Sequence, residues 1–210
     1  MKKVSLSAVM MTAMMLSSCG GGASTEVTIG KQVWMSENLN VDKFRNGDPI
    51  PQAKTNEEWN KAGENNQPAW CYYDNDPANG EKYGKLYNWY AVNDPRGLAP
   101  VGYHIPNDSD WTVLTGYLGG EDIAGTKIKS KNEWVEGGNG TNESGFSGLP
   151  GGFRLDGGTF SNIGYGGSWW SSSENNTSYA WYRNLSYGSD LVDRYYDDKT
   201  YGFSVRCLRD

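Results

Sequence analysis

Beyond residue 26, apolar and polar positions alternate with a period of two near both ends of the chain and with a helical period between them. Val27-Thr28-Ile29 and Gln32-Val33-Trp34-Met35 predict two short strands about a Gly30-Lys31 turn. Tyr83 to Val92 fits either period and is read as a short helix. The clearest helix follows Pro106. Asn107 is its cap and Asp110 the capping-box acid; Trp111, Val113, Leu114 and Leu118 form its apolar face, and Gly119-Gly120 ends it. Three strand-like runs follow at 179–186, 191–196 and 202–208, broken at Gly188-Ser189-Asp190 and Asp197-Asp198-Lys199-Thr200. In the first run Trp181, Arg183 and Leu185 are expected to point inward, and Tyr182, Asn184 and Ser186 outward. Residues 43–82 read as a partly irregular insert anchored by Trp59, Trp70 and Tyr72, and 137–168 as Gly/Asn/Ser-rich loop. The pattern predicts an α+β fold: two short helices, irregular Gly/Asn-rich loops and a C-terminal antiparallel β-meander. No fixed-period repeat is visible.

The first residues follow a different logic. Met1-Lys2-Lys3 is basic, Val4 to Leu16 is apolar, and Leu16-Ser17-Ser18-Cys19-Gly20 places small residues before a cysteine. The apolar run is shorter than the roughly 20 residues that span hydrocarbon as a helix. The layout resembles a bacterial lipoprotein signal, which implies cleavage before Cys19, lipidation of that cysteine and a site outside the cytoplasm. The expected division is a signal at 1–18, a lipidated tether at 19–26 and one domain at 27–210. An outer membrane is the expected address. Acidic residues do not cluster after Cys19, so its periplasmic or surface face stays open.

Composition narrows the partners. Hydrophobic residues are only 37% of the chain, but 9 Trp and 14 Tyr supply a core through aromatic burial. The 28 glycines signal many turns. A net charge of −6 without a basic run argues against nucleic acid as a partner and leaves membrane contact to the lipid. Cys71 and Cys207 are the one candidate disulfide in an oxidising compartment, although sequence does not show that they lie within bridging distance.

Several stretches together resemble the Fibrobacter succinogenes major paralogous domain. They include Gly30-Lys31-Gln32-Val33-Trp34-Met35-Ser36-Glu37-Asn38-Leu39-Asn40, Tyr83-Gly84-Lys85-Leu86-Tyr87-Asn88-Trp89-Tyr90 and Gly102-Tyr103-His104-Ile105-Pro106. Thr141-Asn142-Glu143-Ser144-Gly145-Phe146, Leu149-Pro150-Gly151-Gly152, Trp169-Trp170-Ser171-Ser172 and Gly202-Phe203-Ser204-Val205-Arg206-Cys207 complete the set. The resemblance implies a C-type-lectin-like fold, shared with formylglycine-generating-enzyme domains, with paired terminal strands. It often carries a cysteine where this chain has Ala99; if that cysteine normally bridges to the terminal one, Cys207 has lost its partner here.

Catalytic chemistry has few components. His104 is the single histidine and is read as an aromatic packing position; the cysteine pair of formylglycine-generating chemistry does not occur. The calcium-binding strings of sugar-binding C-type lectins do not occur either. Asp190, Asp193, Asp197 and Asp198 could supply oxygen ligands to calcium, but their spacing does not require it, and no cofactor is expected. Residues 170–197 are rich in Asn, Ser, Tyr and Asp. They resemble the variable strip of C-type-lectin-like proteins diversified by retroelements, and these residue types suit a binding surface. The expected ligand-binding set is Trp170, Ser172, Asn175, Asn176, Tyr179, Tyr182, Asn184, Ser186, Tyr187, Asp190, Asp193 and Tyr195. The expected function is a lipid-anchored, extracytoplasmic protein that binds a protein or glycan ligand and is not an enzyme. The alternative is a structural or assembly component of the envelope; a formylglycine-generating-type enzyme comes third.

Overall fold

The computed structural model describes residues 26–210; the signal and the Cys19 lipidation site lie outside them. The two expected N-terminal strands form as β1 (Glu26–Ile29) and β2 (Gln32–Met35), turned by Gly30 at a φ of 62°. The segment expected to be an irregular insert carries regular structure: α1 (Asn56–Glu64), β3 (Trp70–Cys71) and α2 (Pro77–Tyr83). The Thr55 hydroxyl accepts from the Glu58 amide, and the Glu58 carboxylate accepts from the Thr55 amide, so a reciprocal capping box starts α1. Tyr83 to Val92 divides into β4 (Leu86–Tyr87) and a four-residue α3 (Trp89–Val92) capped by Asn88, rather than forming one helix.

β5 (Tyr103–His104) leads into α4 (Asp108–Tyr117), whose Asn107–Asp110 capping box is as expected. Trp111, Leu114 and Leu118 are buried, whereas Val113 is exposed, a correction to the expected face. Gly119-Gly120 ends α4, as expected. It turns the chain into α5 (Glu121–Ile128), which packs closely because a Cβ at Gly125 would stand 2.5 Å from the Asp190 carbonyl oxygen. Five short α-helices thus form among the described residues, three more than expected.

The remaining strands are β6 (Gly151–Arg154), β7 (Phe160–Ile163), β8 (Gly166–Glu174), β9 (Tyr179–Ser186), β10 (Asp193–Asp198) and β11 (Leu208–Arg209). One sheet runs β1-β2-β11-β5 and a second runs β10-β9-β8-β6-β7; β3 and β4 make a small third pair. The meander is thus β8-β9-β10, and residues 202–208 are not its third strand. Gly202, Phe203 and Ser204 make single bridges to Arg154, Tyr87 and Trp169, and β11 then crosses to the first sheet. The terminal strands share this sheet but do not pair, a correction to the expectation: β2 separates β1 from β11, which sits between β2 and β5, and only the side chains of Arg209 and Glu26 meet, at 3.2 Å.

The central strand of the second sheet, β8, is covered on both faces. Successive residues of a strand face opposite ways, so the adjacent Trp169 and Trp170 enter different cores. Trp169 packs with Trp34, Trp111, Leu114, Phe146 and Leu185; Trp170 packs with Tyr87, Trp89, Ala180 and Phe203. A third cluster gathers Trp59, Cys71, Tyr73 and Leu86. Cys71 and Cys207 are both buried and free, in different clusters, which corrects the candidate disulfide. Burial pushes both thiols up to about 12.

Asn38 and Arg206 join the two sheets. Asn38 Oδ1 accepts from Trp169 Nε1 (2.8 Å) and from Arg206 Nε (3.1 Å) and Nη2 (2.8 Å). Its amide donates to the Tyr83 carbonyl and the Ser204 hydroxyl. Arg206 also donates to the Met35 and Phe146 carbonyls and lies over the Phe146 ring.

Candidate functional site

The β9–β10 hairpin follows a register of Asp193 opposite Asn184, Tyr195 opposite Tyr182 and Asp197 opposite Ala180. Those residues share one face. Arg194 opposite Arg183, Tyr196 opposite Trp181 and Asp198 opposite Tyr179 share the other. The alternation expected from sequence is correct, but the outward assignment holds only in part.

On the first face Tyr182 is half-buried. Its ring stacks at 4.5 Å on Phe203 and lies 6.1 Å from both Trp170 and Tyr195. Burial, with Asp197 and neighbouring tyrosines adding to it, pushes its phenol well above the ordinary range. Tyr195 is 51% exposed. The half-buried Asn184 accepts from the Ser168 hydroxyl. Tyr201 and Phe153 extend the aromatic surface through their packing on Phe203. Asp197 lies two residues beyond Tyr195, and burial, then Asp198 and Asp156, push its carboxyl up.

The second face is also partly open: Tyr196 is 53% exposed, and Trp181, expected to point inward, is only half-buried, a correction to that assignment, but a cation of the protein itself sits on its ring. Arg194 lies 3.4 Å over the Trp181 ring and grips Asp108 with two nitrogens. The buried Arg183 reaches the same carboxylate at 2.8 Å.

The twelve sequence-derived residues fall into separate places. Tyr182, Asn184, Asp193 and Tyr195 form the open face, with the half-buried Ser186 further along β9. Trp170 has no exposed surface and donates to the Tyr87 carbonyl at 2.8 Å; it is core, which corrects its assignment. Ser172 is also structural, with its hydroxyl donating to the Ile105 carbonyl and its amide to that of Pro106. Asn175 and Asn176 build the β8–β9 turn, where Asn176 Oδ1 accepts from the amides of Ser178 and Tyr179. Tyr179 packs on Tyr196 across the second face. Tyr187 and Asp190 line a separate cleft of about 280 Å³ with Lys129 and Glu136. Two larger clefts, of about 560 and 570 Å³, share no residue with the hairpin.

Sequence reasoning missed Tyr201 and Phe153 as parts of this surface. It treated Asp197 as a turn residue and an oxygen donor, although its spacing from Tyr195 placed it on the same face. The expected packing role of His104 is corrected too: its ring is 41% exposed, with Nδ1 2.9 Å from Asp210 and Nε2 3.5 Å from Asp110. Among the described residues no group of three or more His, Cys, Asp or Glu is placed to hold a metal ion, and no helix is long and apolar enough to cross a membrane.

A model of the Fibrobacter succinogenes major domain matches residues 27–209. The chain belongs to that family. No curated protein matches it, and no solved structure does. Within this Fibrobacter succinogenes major domain the motif residues named above are largely structural. Asn38, Ser204 and Arg206 join the sheets, Asn88 caps α3, and Lys85 donates to the carbonyl and side-chain oxygens of Asn40. The β9–β10 face lies outside those joints.

The two tyrosines of that face should separate on stability. Tyr195→Ala is expected to change unfolding free energy by less than about 0.5 kcal/mol, as for surface changes. Tyr182→Ala should cost about 2 kcal/mol, below the range for fully buried aromatics because its ring is half-buried. Urea unfolding of the two variants measures the contrast.

Proposed function

We propose that this is a lipid-anchored, extracytoplasmic binding protein with a C-type-lectin-like domain, and that it captures a protein or glycan ligand on the Tyr182–Asn184–Asp193–Tyr195 face. The observation that carries the reading is a patch of tyrosine, asparagine and aspartate side chains displayed from a sheet whose central strand, β8, is packed on both faces. A rigid scaffold with amphipathic rings and adaptable hydrogen-bonding groups lowers the entropy lost on binding. The lipid attachment rests on the Leu16-Ser17-Ser18-Cys19 pattern, and the outer membrane is the address proposed with it.

Protein and glycan arrays probed with the wild-type chain and with Tyr195→Ala test the binding role. Wild type should retain a ligand that the variant loses at unchanged melting temperature; equal capture by both would remove the face from the account. Radiolabelled palmitate should enter the wild-type chain and not Cys19→Ser, and equal labelling would remove the anchor.

A further inference from the structure

The two faces of the β9–β10 hairpin carry the same kinds of group with one difference. On one face the Trp181 and Tyr196 rings and the Asp108 carboxylate surround a guanidinium: Arg194 sits 3.4 Å over Trp181 and pairs with Asp108 at 2.9 Å. On the other, the Tyr182 and Tyr195 rings lie between Asp193 and Asp197, which occupy β10 two residues to either side of Tyr195. Among the described residues no arginine, lysine or histidine forms an ion pair with Asp193, Asp197, Asp198 or Asp156. The rings are exposed enough to be covered: Tyr195 is half open, and Tyr182, Tyr201 and Phe153 are partly so.

We propose that this face takes the arginine or lysine side chain of an extended peptide segment, seated on the Tyr182 and Tyr195 rings between the carboxylates of Asp193 and Asp197. The proposal rests on the binding role above and names its ligand class. A cation over an aromatic face is held by the ring's electrostatics, and a flanking carboxylate adds charge pairing. Burial, then the neighbouring Asp198 and Asp156, raise the Asp197 carboxyl, and a cation seated beside it would offset all three. A peptide fits better than a free amine because β10 is the edge strand of its sheet, so an extended segment has backbone groups beside the face to pair with. The net charge of −6 favours a basic partner over an acidic one.

The test uses the full-length chain in detergent and a fluorescent peptide of alternating serine and arginine, followed by anisotropy. Its control peptide carries citrulline, the neutral isostere, in place of arginine. The arginine peptide is expected to bind at least 10-fold more tightly than the citrulline peptide and to weaken with added salt. Asp193→Asn/Asp197→Asn should reduce its affinity at least 10-fold at an unchanged melting temperature, and so should Tyr195→Ala, whose exposed ring is not needed for folding. Asp122→Asn/Glu143→Gln removes the same charge elsewhere on the exposed surface and should leave binding unchanged. Equal binding of the citrulline peptide, an equal loss in the Asp122/Glu143 variant, or no binding by wild type would overturn the proposal. A glycan or uncharged peptide that binds wild type and is lost in Tyr195→Ala would overturn the cation assignment while leaving the binding role intact. Should Tyr195→Ala affect no ligand of any class, both fall.

Discussion

Arg206→Ala is expected to lower unfolding free energy by about 3 kcal/mol, because several buried oxygens lose their charged donor at once. The side chain is fully buried, and burial pulls its pKa down to about 9, still above neutral, so a cation occupies the interior at pH 7. Its partners are oxygens of neutral groups: the Met35 and Phe146 carbonyls and the side chain of Asn38. Truncation leaves those oxygens short of donors and opens a void beneath Phe146. Arg206→Lys should recover less than half of the loss, because an ammonium lacks the planar fork that reaches Asn38 with two nitrogens and Met35 with a third. The midpoint of urea unfolding, with an unchanged slope, reads both effects.

Asp108→Ala should cost about 3 kcal/mol, since it strands the fully buried Arg183 without its carboxylate. Asp108 also begins α4, where an anion favours the helix dipole, and it anchors Arg194. Burial by itself would raise its carboxyl, but hydrogen bonds from Arg194 and Arg183 and their charges outweigh that and hold it below the usual range. The sign of the pH effect follows. Between the lowered folded value and the ordinary unfolded value of about 3.9 the unfolded chain binds the extra proton. The stabilisation is therefore complete above that unfolded value and is lost as pH falls through the folded one. The stability gap between wild type and Asp108→Asn should shrink below about pH 4. A gap that held constant down to pH 2 would mean that Asp108 acts only through its hydrogen bonds.

Local signals in the chain were readable where the physics is local. The Asn107–Asp110 box started α4 and the alternation of 179–186 marked β9, because both depend on neighbours within one turn or one strand. Thr55–Glu58 carries the same capping signature for α1, and the density of Asn, Asp and Gly around it obscured the helix. Gly119-Gly120 reads as a helix stop and is one; what the pair does not show is that their positive φ values turn the chain directly into a further helix, α5. Inside and outside on the hairpin were harder. Alternation says which residues share a face and not what covers each face. Composition says no more: Trp170 belongs to the Asn/Ser/Tyr-rich stretch 170–197, yet Phe203 and Tyr87 bury it from distant parts of the chain. Tyr201 and Phe153 joined the surface by the same kind of long-range packing.

The closing position of β11 has a consequence for how the domain is made. A ribosome that has just released Val192 has supplied both helices and strands, but not the Arg206 that ties Asn38 to Trp169 or the Leu208 that fills the gap between β2 and β5. The β1–β2 hairpin, among the first segments made, waits for almost the last before its sheet exists. Closure over so long a stretch of chain slows folding. The first sheet therefore cannot be completed until synthesis has passed residue 208, whatever the second sheet has done by then.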